Sequence, residues 1–305
     1  MKERKGIIIT ITAAVLWGFS GTCGQYIFDR FGADASYLTA ARLLSSGLVL
    51  TGLGLFTDRK NMTAVWRSRS TALRLLIFSV AGIMMCQLTY MKTISYSNSG
   101  TATILQYVGP VLVMIVSCFT ARKLPCKKET AAIILALCGT FLIATHGDIH
   151  TMVITPRALF WGIGAAFSLM LYTLLPVSLT EKFGSITVTG FGMLIGGIVL
   201  CLLDKIWEAP IIYDSRCAAA FAVIVIFGTV LPFSMYMTGV TCCGAVKASM
   251  IASIEPISAT FFMVFWLGES FHPMDFAGFL CIFITIFLLT KKDTGCETEN
   301  SQRAY

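Results

Sequence analysis

Glu255 stands ten residues into an otherwise apolar run that starts at Ala245, and Pro256 follows it directly. On a helix rising ~1.5 Å per residue that is about 15 Å, half the depth of a bilayer's ~30 Å hydrocarbon core. A carboxylate there is expensive and by default marks a solute pathway or a proton relay. Removal from water disfavours its charged form, which suits a group that takes up and releases a proton. The competing reading is a protonated Glu that locks two helices together through hydrogen bonds. Pro256 lacks a backbone N–H and opens the helical ladder, so the glutamate also has freed backbone groups within its reach.

Other polar and aromatic residues share this apolar setting. Lys247 precedes Glu255 by eight residues, a spacing that keeps both on one helix face; it is either a snorkelling interfacial Lys or part of a substrate gate. Arg42 lies six residues into the second apolar run, placed to snorkel, to form a buried structural pair or to contact substrate. Gln106 and Tyr107 sit one turn before Pro110, where they can orient a ligand or join helices as interhelical glue. Trp17, about 17 Å from the start of its run at 1.5 Å per residue, is too deep for the interfacial aromatic belt and is either cavity wall or packing. Trp161, near the outer end of its run, fits the belt. Tyr90, Tyr172 and Tyr236 are gate or cavity aromatics, or packing. Gly18, Gly21 and Gly24, with Gly192 and Gly196, offer close-approach surfaces for neighbouring helices.

The elements that position these residues are apolar helices. Of 305 residues, 56% are hydrophobic and 13% charged, against ~25% charged in a usual globular domain. That excludes a disordered chain, a secreted disulfide scaffold and an ordinary soluble enzyme. Ten runs are long enough to span a bilayer: 6–28, 36–56, 72–91, 98–119, 130–145, 157–179, 185–203, 217–239, 245–267 and 274–290. At about 20 residues each they leave no connection long enough to fold alone. Function is therefore expected among the helices. The connections after the third and eighth runs predict antiparallel hairpins. The first run exceeds the 7–15 apolar residues of a signal peptide and is expected to be retained.

Lys and Arg positions predict orientation, since positive segments stay in the cytoplasm. With the N-terminus inside, seventeen fall on that side (Lys2, Arg4, Lys5, Arg59, Lys60, Arg67, Arg69, Arg74, Arg122, Lys123, Lys127, Lys128, Lys182, Lys247, Lys291, Lys292 and Arg303). Only Arg30, Lys92, Arg157, Lys205 and Arg216 face out. The net charge of +7 thus reads as topology. Nucleic acid is not an expected partner, because the basic runs are short loops without interleaved aromatics apart from Trp66.

Shifting the chain by 146 residues places Tyr90-Met91 on Tyr236-Met237, Ala102 on Ala248, Pro110 on Pro256, Phe119 on Phe265 and Ala131 on Ala277. Each Pro then falls near the middle of its run. Two halves with an odd number of crossings face opposite ways, which predicts an inverted-topology repeat. Secondary transporters of that kind place solute near the midplane, at Gly- or Pro-interrupted helices.

The stretch Ala14-Val-Leu-Trp17-Gly18-Phe-Ser20, Arg42, Leu105-Gln106-Tyr107-Val-Gly109-Pro110-Val, and Ser253-Ile-Glu255-Pro256-Ile followed by Leu267-Gly268-Glu269-Ser, resembles the EamA family of the drug/metabolite transporter superfamily. The resemblance is greatest to its uncharacterised bacterial inner-membrane members and runs from Gly6 to Leu289. It implies an all-α membrane protein of ten transmembrane helices, as two inverted five-helix EamA repeats (6–147 and 156–290). A tail (291–305) would follow, with both termini cytoplasmic. It also implies a central cavity between the halves and export or exchange of small metabolites. Where the family often repeats Leu-Gly-Glu after the fourth helix, this chain has Ala121-Arg122-Lys123-Leu124, so the first half has no acidic counterpart of Glu269.

Eleven cysteines include the adjacent pair Cys242 and Cys243 but no CxxC, and are expected as free thiols. With only His146, His150 and His272, neither a metal site nor a cofactor is expected, and no phosphate-binding G-x-x-x-x-G-K-[ST] loop is present. The expected partners are a small solute, the lipid bilayer and protons. The expected activity is alternating-access export of an amino acid or drug-like solute, coupled to protons through Glu255. Exchange or uniport without protons is the alternative, with a channel or a membrane-embedded enzyme behind it.

Overall fold

The computed structural model describes residues 2–97, 99–122, 124–151, 155–208, 214–268 and 272–290. Lys123, Glu269 and the expected tail 291–305 lie outside the described residues. Nine helices there are long and apolar enough to cross a membrane. They are α1 (Lys2–Phe28), α2 (Ala35–Thr57), α3 (Arg69–Tyr96), α4 (Thr101–Ala121), α5 (Lys127–Thr145), α6 (Pro156–Phe183), α7 (Ser185–Asp204), α8 (Ser215–Cys243) and α9 (Ala245–Trp266). The tenth expected span is a shorter apolar helix, α10 (Pro273–Leu288).

Local chemistry sets the helix ends. Asp34 caps α2 by accepting from the backbone N–H groups of Ser36 (2.8 Å) and Tyr37 (3.0 Å). Asp214 caps α8 through Arg216 and Cys217, and Thr155 caps α6 through Ala158. Each satisfies donors that a helix start leaves open. Gly184 and Gly244 alone turn the chain between α6 and α7 and between α8 and α9, at φ of 81° and 88°. Glycine enters that left-handed region without a Cβ penalty.

The helices pair as α2 with α7, α1 with α8, α3 with α6, α5 with α10, α1 with α9, α4 with α6 and α4 with α9. Exchanging α1–α5 for α6–α10 maps every one of these pairs onto itself or another. Gly47 and Gly197 explain the intimacy of α2 and α7. A side chain on Gly47 would strike the backbone of Leu194, and one on Gly197 the backbone of Leu44. Outward faces carry large apolar groups such as Phe119 (86% exposed) and Phe265 (78%), a repeat-related pair. Such surfaces match lipid rather than water.

Two kinds of irregularity recur in equivalent places. Both α3 and α8 contain a π-helical turn, at Phe78–Met84 and Ile226–Val230; the 146-residue shift carries residues 80–84 onto 226–230. Both α4 and α9 are broken ahead of their proline, at Tyr107 and Val108 and at Ala252 and Ser253. Among the described residues nine cysteines are free thiols, but Cys126, just before α5, is disulfide-bonded. The expectation of free thiols throughout fails there, because spacing alone does not reveal which sulfurs the fold brings together.

Candidate functional site

The broken helices α4 and α9 border a partly open cavity. Trp17, Ser20 and Gly21 come from α1, Arg42 from α2, and Cys86, Gln87, Tyr90 and Met91 from α3. Gln106, Tyr107 and Pro110 come from α4; Leu169 and Tyr172 from α6; Phe233 and Tyr236 from α8; Ser249, Ala252 and Glu255 from α9. Both halves of the chain therefore build it. Its water-accessible space is about 90 Å³, several times the ~10–15 Å³ that one water requires, so it admits a small solute.

Glu255 opens the second segment of α9, Ile254–Phe262, and is half-buried against the cavity. Among the described residues its carboxylate has no hydrogen-bond or ion-pair partner. The freed carbonyl expected near Pro256 is that of Ala252, four residues earlier. Tyr107 donates its hydroxyl to it across 2.7 Å, and the Glu255 backbone N–H donates to it at 2.9 Å. The break in α9 is thus fastened to the break in α4, and the Glu255 carboxylate is left to the cavity.

Arg42 is 5% exposed. Its Nε and Nη2 both donate to Thr229 Oγ1, at 3.3 and 3.2 Å, and that hydroxyl donates in turn to the Ile224 carbonyl across the π turn of α8. No ion pair joins Arg42 to Glu255 among the described residues. Tyr90 lies within electrostatic reach of both, and its hydroxyl bonds Thr103 at 3.1 Å. Tyr236, its counterpart in the second half, bonds Thr173 at 3.2 Å and stacks against Tyr172 with centroids 5.7 Å apart. Trp17 packs edge-on to Phe233 at 5.0 Å. Among the described residues the amide nitrogen of Gln106 reaches only Cys86 Sγ, at 4.0 Å.

Nine of the sequence candidates thus meet on one cavity: Trp17, Arg42, Tyr90, Gln106, Tyr107, Pro110, Tyr172, Tyr236 and Glu255. Pro256 is buried beside it. Lys247 is placed elsewhere: its Nζ pairs with Glu3 Oε1 at 2.8 Å, tying the start of α9 to the start of α1. The break at Ala252 and Ser253 lies between Lys247 and Glu255, so their eight-residue spacing does not carry across. Of Gly18, Gly21 and Gly24, only Gly18 meets a neighbouring helix closely, while Gly21 opens onto the cavity and Gly24 meets nothing within 4 Å. Sequence reasoning missed Gln87, whose signal was available: a glutamine within an apolar run, three residues before Tyr90. No cluster suited to a metal ion occurs among the described residues.

The EamA-like transporter family model matches residues 4–145 and again 156–291. The chain is 37% identical to the uncharacterized inner membrane transporter YicL of Salmonella typhimurium, over 94% of this chain and 95% of that one. It is 27% identical to the uncharacterized transporter YetK of Bacillus subtilis, over 96% and 89%. With the threonine/homoserine exporter RhtA of Escherichia coli it shares 23% identity, over 88% and 85%. A solved crystal structure superposes with a TM-score of 0.78 at 15% identity, covering 94% of this chain and 97% of the other; that likeness speaks to the fold alone.

Proposed function

Because the chain belongs to the EamA-like transporter family, we propose that it is a proton-coupled exporter of a small organic metabolite such as an amino acid, working by alternating access in a bacterial inner membrane. Family and relatives are transporters, not enzymes. The inner-membrane setting follows the name of the YicL relative, and export follows that of RhtA. The chain crosses ten times, as inverted repeats 6–147 and 156–290, with both ends in the cytoplasm. The exchangeable helix pairings and the matching breaks and π turns support that architecture. So does the odd number of spans in each half.

One observation carries the mechanism: Glu255, at the break of a spanning helix, faces a cavity built by both halves and has no polar partner for its carboxylate among the described residues. Solute and proton compete for this carboxylate. The halves then rock about the cavity so that it opens to one side at a time. Gln106, Tyr90, Tyr107 and Tyr236 wall the solute, and Pro110 and Pro256 keep the two central helices broken.

Proteoliposomes with and without an imposed proton gradient test this. Wild type is expected to move solute faster with the gradient, and Glu255→Gln to lose that acceleration while keeping counterflow. A Glu255→Gln protein with full gradient-driven activity overturns the coupling role. Wild-type counterflow insensitive to pH would mark an exchanger instead. Reporter fusions at the two ends must fall in one compartment; opposite compartments would overturn the inverted repeat.

A further inference from the structure

We infer that the cavity recognises its solute by a carboxylate, which Arg42 binds together with the hydrogen-bond donors of Trp17, Gln87 and Tyr172. The inference rests on the transport reading above and deepens it to a substrate class and a binding polarity. A guanidinium carries five N–H donors. Arg42 directs two of them at one neutral hydroxyl, Thr229 Oγ1, which already has its own bond to the Ile224 carbonyl. No carboxylate neutralises Arg42 within ion-pair distance among the described residues. A buried charge without its partner is costly, so the fold retains Arg42 at a cost that a bound anion would offset.

The cavity wall around it has the same deficit. Among the described residues Trp17 Nε1 and Gln87 Nε2 are buried donors without acceptors, and the buried Tyr172 hydroxyl has no partner either. All three residues line the cavity with Arg42. What these donors lack within hydrogen-bond distance is a compact acceptor with negative charge, and a carboxylate fits a guanidinium in a bidentate manner. Glu255, the one acidic residue lining the same cavity among the described residues, opposes a second full negative charge. That argues against a phosphate dianion and for a zwitterion whose ammonium turns toward Glu255.

The test is a thermal-shift series on the full chain in detergent, since a ligand of the folded state raises its melting temperature. The probes are L-amino acids, their primary amides, the corresponding decarboxylated amines, and inorganic phosphate. Some of the free acids are expected to stabilise wild type, with their amides and amines at least ten times weaker and phosphate without effect. Arg42→Gln is expected to lose that preference and Arg42→Lys to keep part of it. Should either variant fail to fold, the discrimination by wild type decides alone. Amides or amines that bind as well as acids, binding of phosphate only, or no shift with any probe would each overturn the inference. Gradient-driven movement of an amine without a carboxylate would overturn it and leave the transporter reading standing; absence of any solute movement would remove both.

Discussion

Ser258 occupies the space that Gly18 leaves empty. Its hydroxyl contacts two carbonyls, that of Val15 on α1 at 3.1 Å and that of Glu255 one turn back on α9 at 3.0 Å. A Cβ on Gly18 would collide with the Ser258 hydroxyl and lie 2.6 Å from both the Ala259 N and the Glu255 carbonyl oxygen. The missing side chain of one residue thereby sets how closely the turn bearing Glu255 approaches α1.

Gly18→Ala is therefore expected to destabilise the protein by about 1–3 kcal/mol, the usual cost of overpacking, because the obstruction includes backbone that cannot swing away. Gly24→Ala is the control: nothing lies within 4 Å of its added methyl, and alanine favours a helix by up to ~1 kcal/mol. Melting temperatures of the two variants in one detergent should move in opposite directions, and equal shifts would contradict the packing.

Tyr107→Phe removes the hydroxyl that joins the two helix breaks and leaves the ring in place. A net loss of about 0.5–1.5 kcal/mol is expected, since the Ala252 carbonyl keeps the Glu255 N–H. Because the bond links the two halves, counterflow rate should change with it if they rock about the cavity as proposed. An unchanged melting temperature would show that the link carries no energy.

Binding of an amine-bearing ligand should strengthen as pH rises, because only ionised Glu255 attracts an ammonium, and should weaken as a proton takes its place. One competing proton gives a slope of up to about tenfold in affinity per pH unit. Glu255→Gln should flatten that slope. A slope unchanged in the variant would assign the proton to another group.

Lys247→Gln should cost little stability, about 0.2–1 kcal/mol for a pair open to solvent, because Glu3 is 56% exposed. Ligand affinity should stay near wild type, since Lys247 does not line the cavity. The double exchange Lys247→Glu with Glu3→Lys should restore whatever is lost. A large loss of ligand affinity in Lys247→Gln would return Lys247 to the binding site.

The two mid-span prolines, the 146-residue repeat and the ten apolar runs were legible in the chain itself. Hydropathy and helical rise are one-dimensional: counting residues along an apolar run yields depth in the bilayer, and a self-shift yields the repeat. Azimuth and pairing are not. Lys247 and Glu255 share a face on a continuous helix, yet the break at Ala252 and Ser253 separates them, and Lys247 turns to Glu3. Gly18, Gly21 and Gly24 share a spacing, yet one meets a helix, one a cavity and one open space. Likewise, only the packing of α2 on α8 decided that Arg42 finds a hydroxyl in place of a carboxylate, because that depends on which groups distant in sequence come to lie within 4 Å.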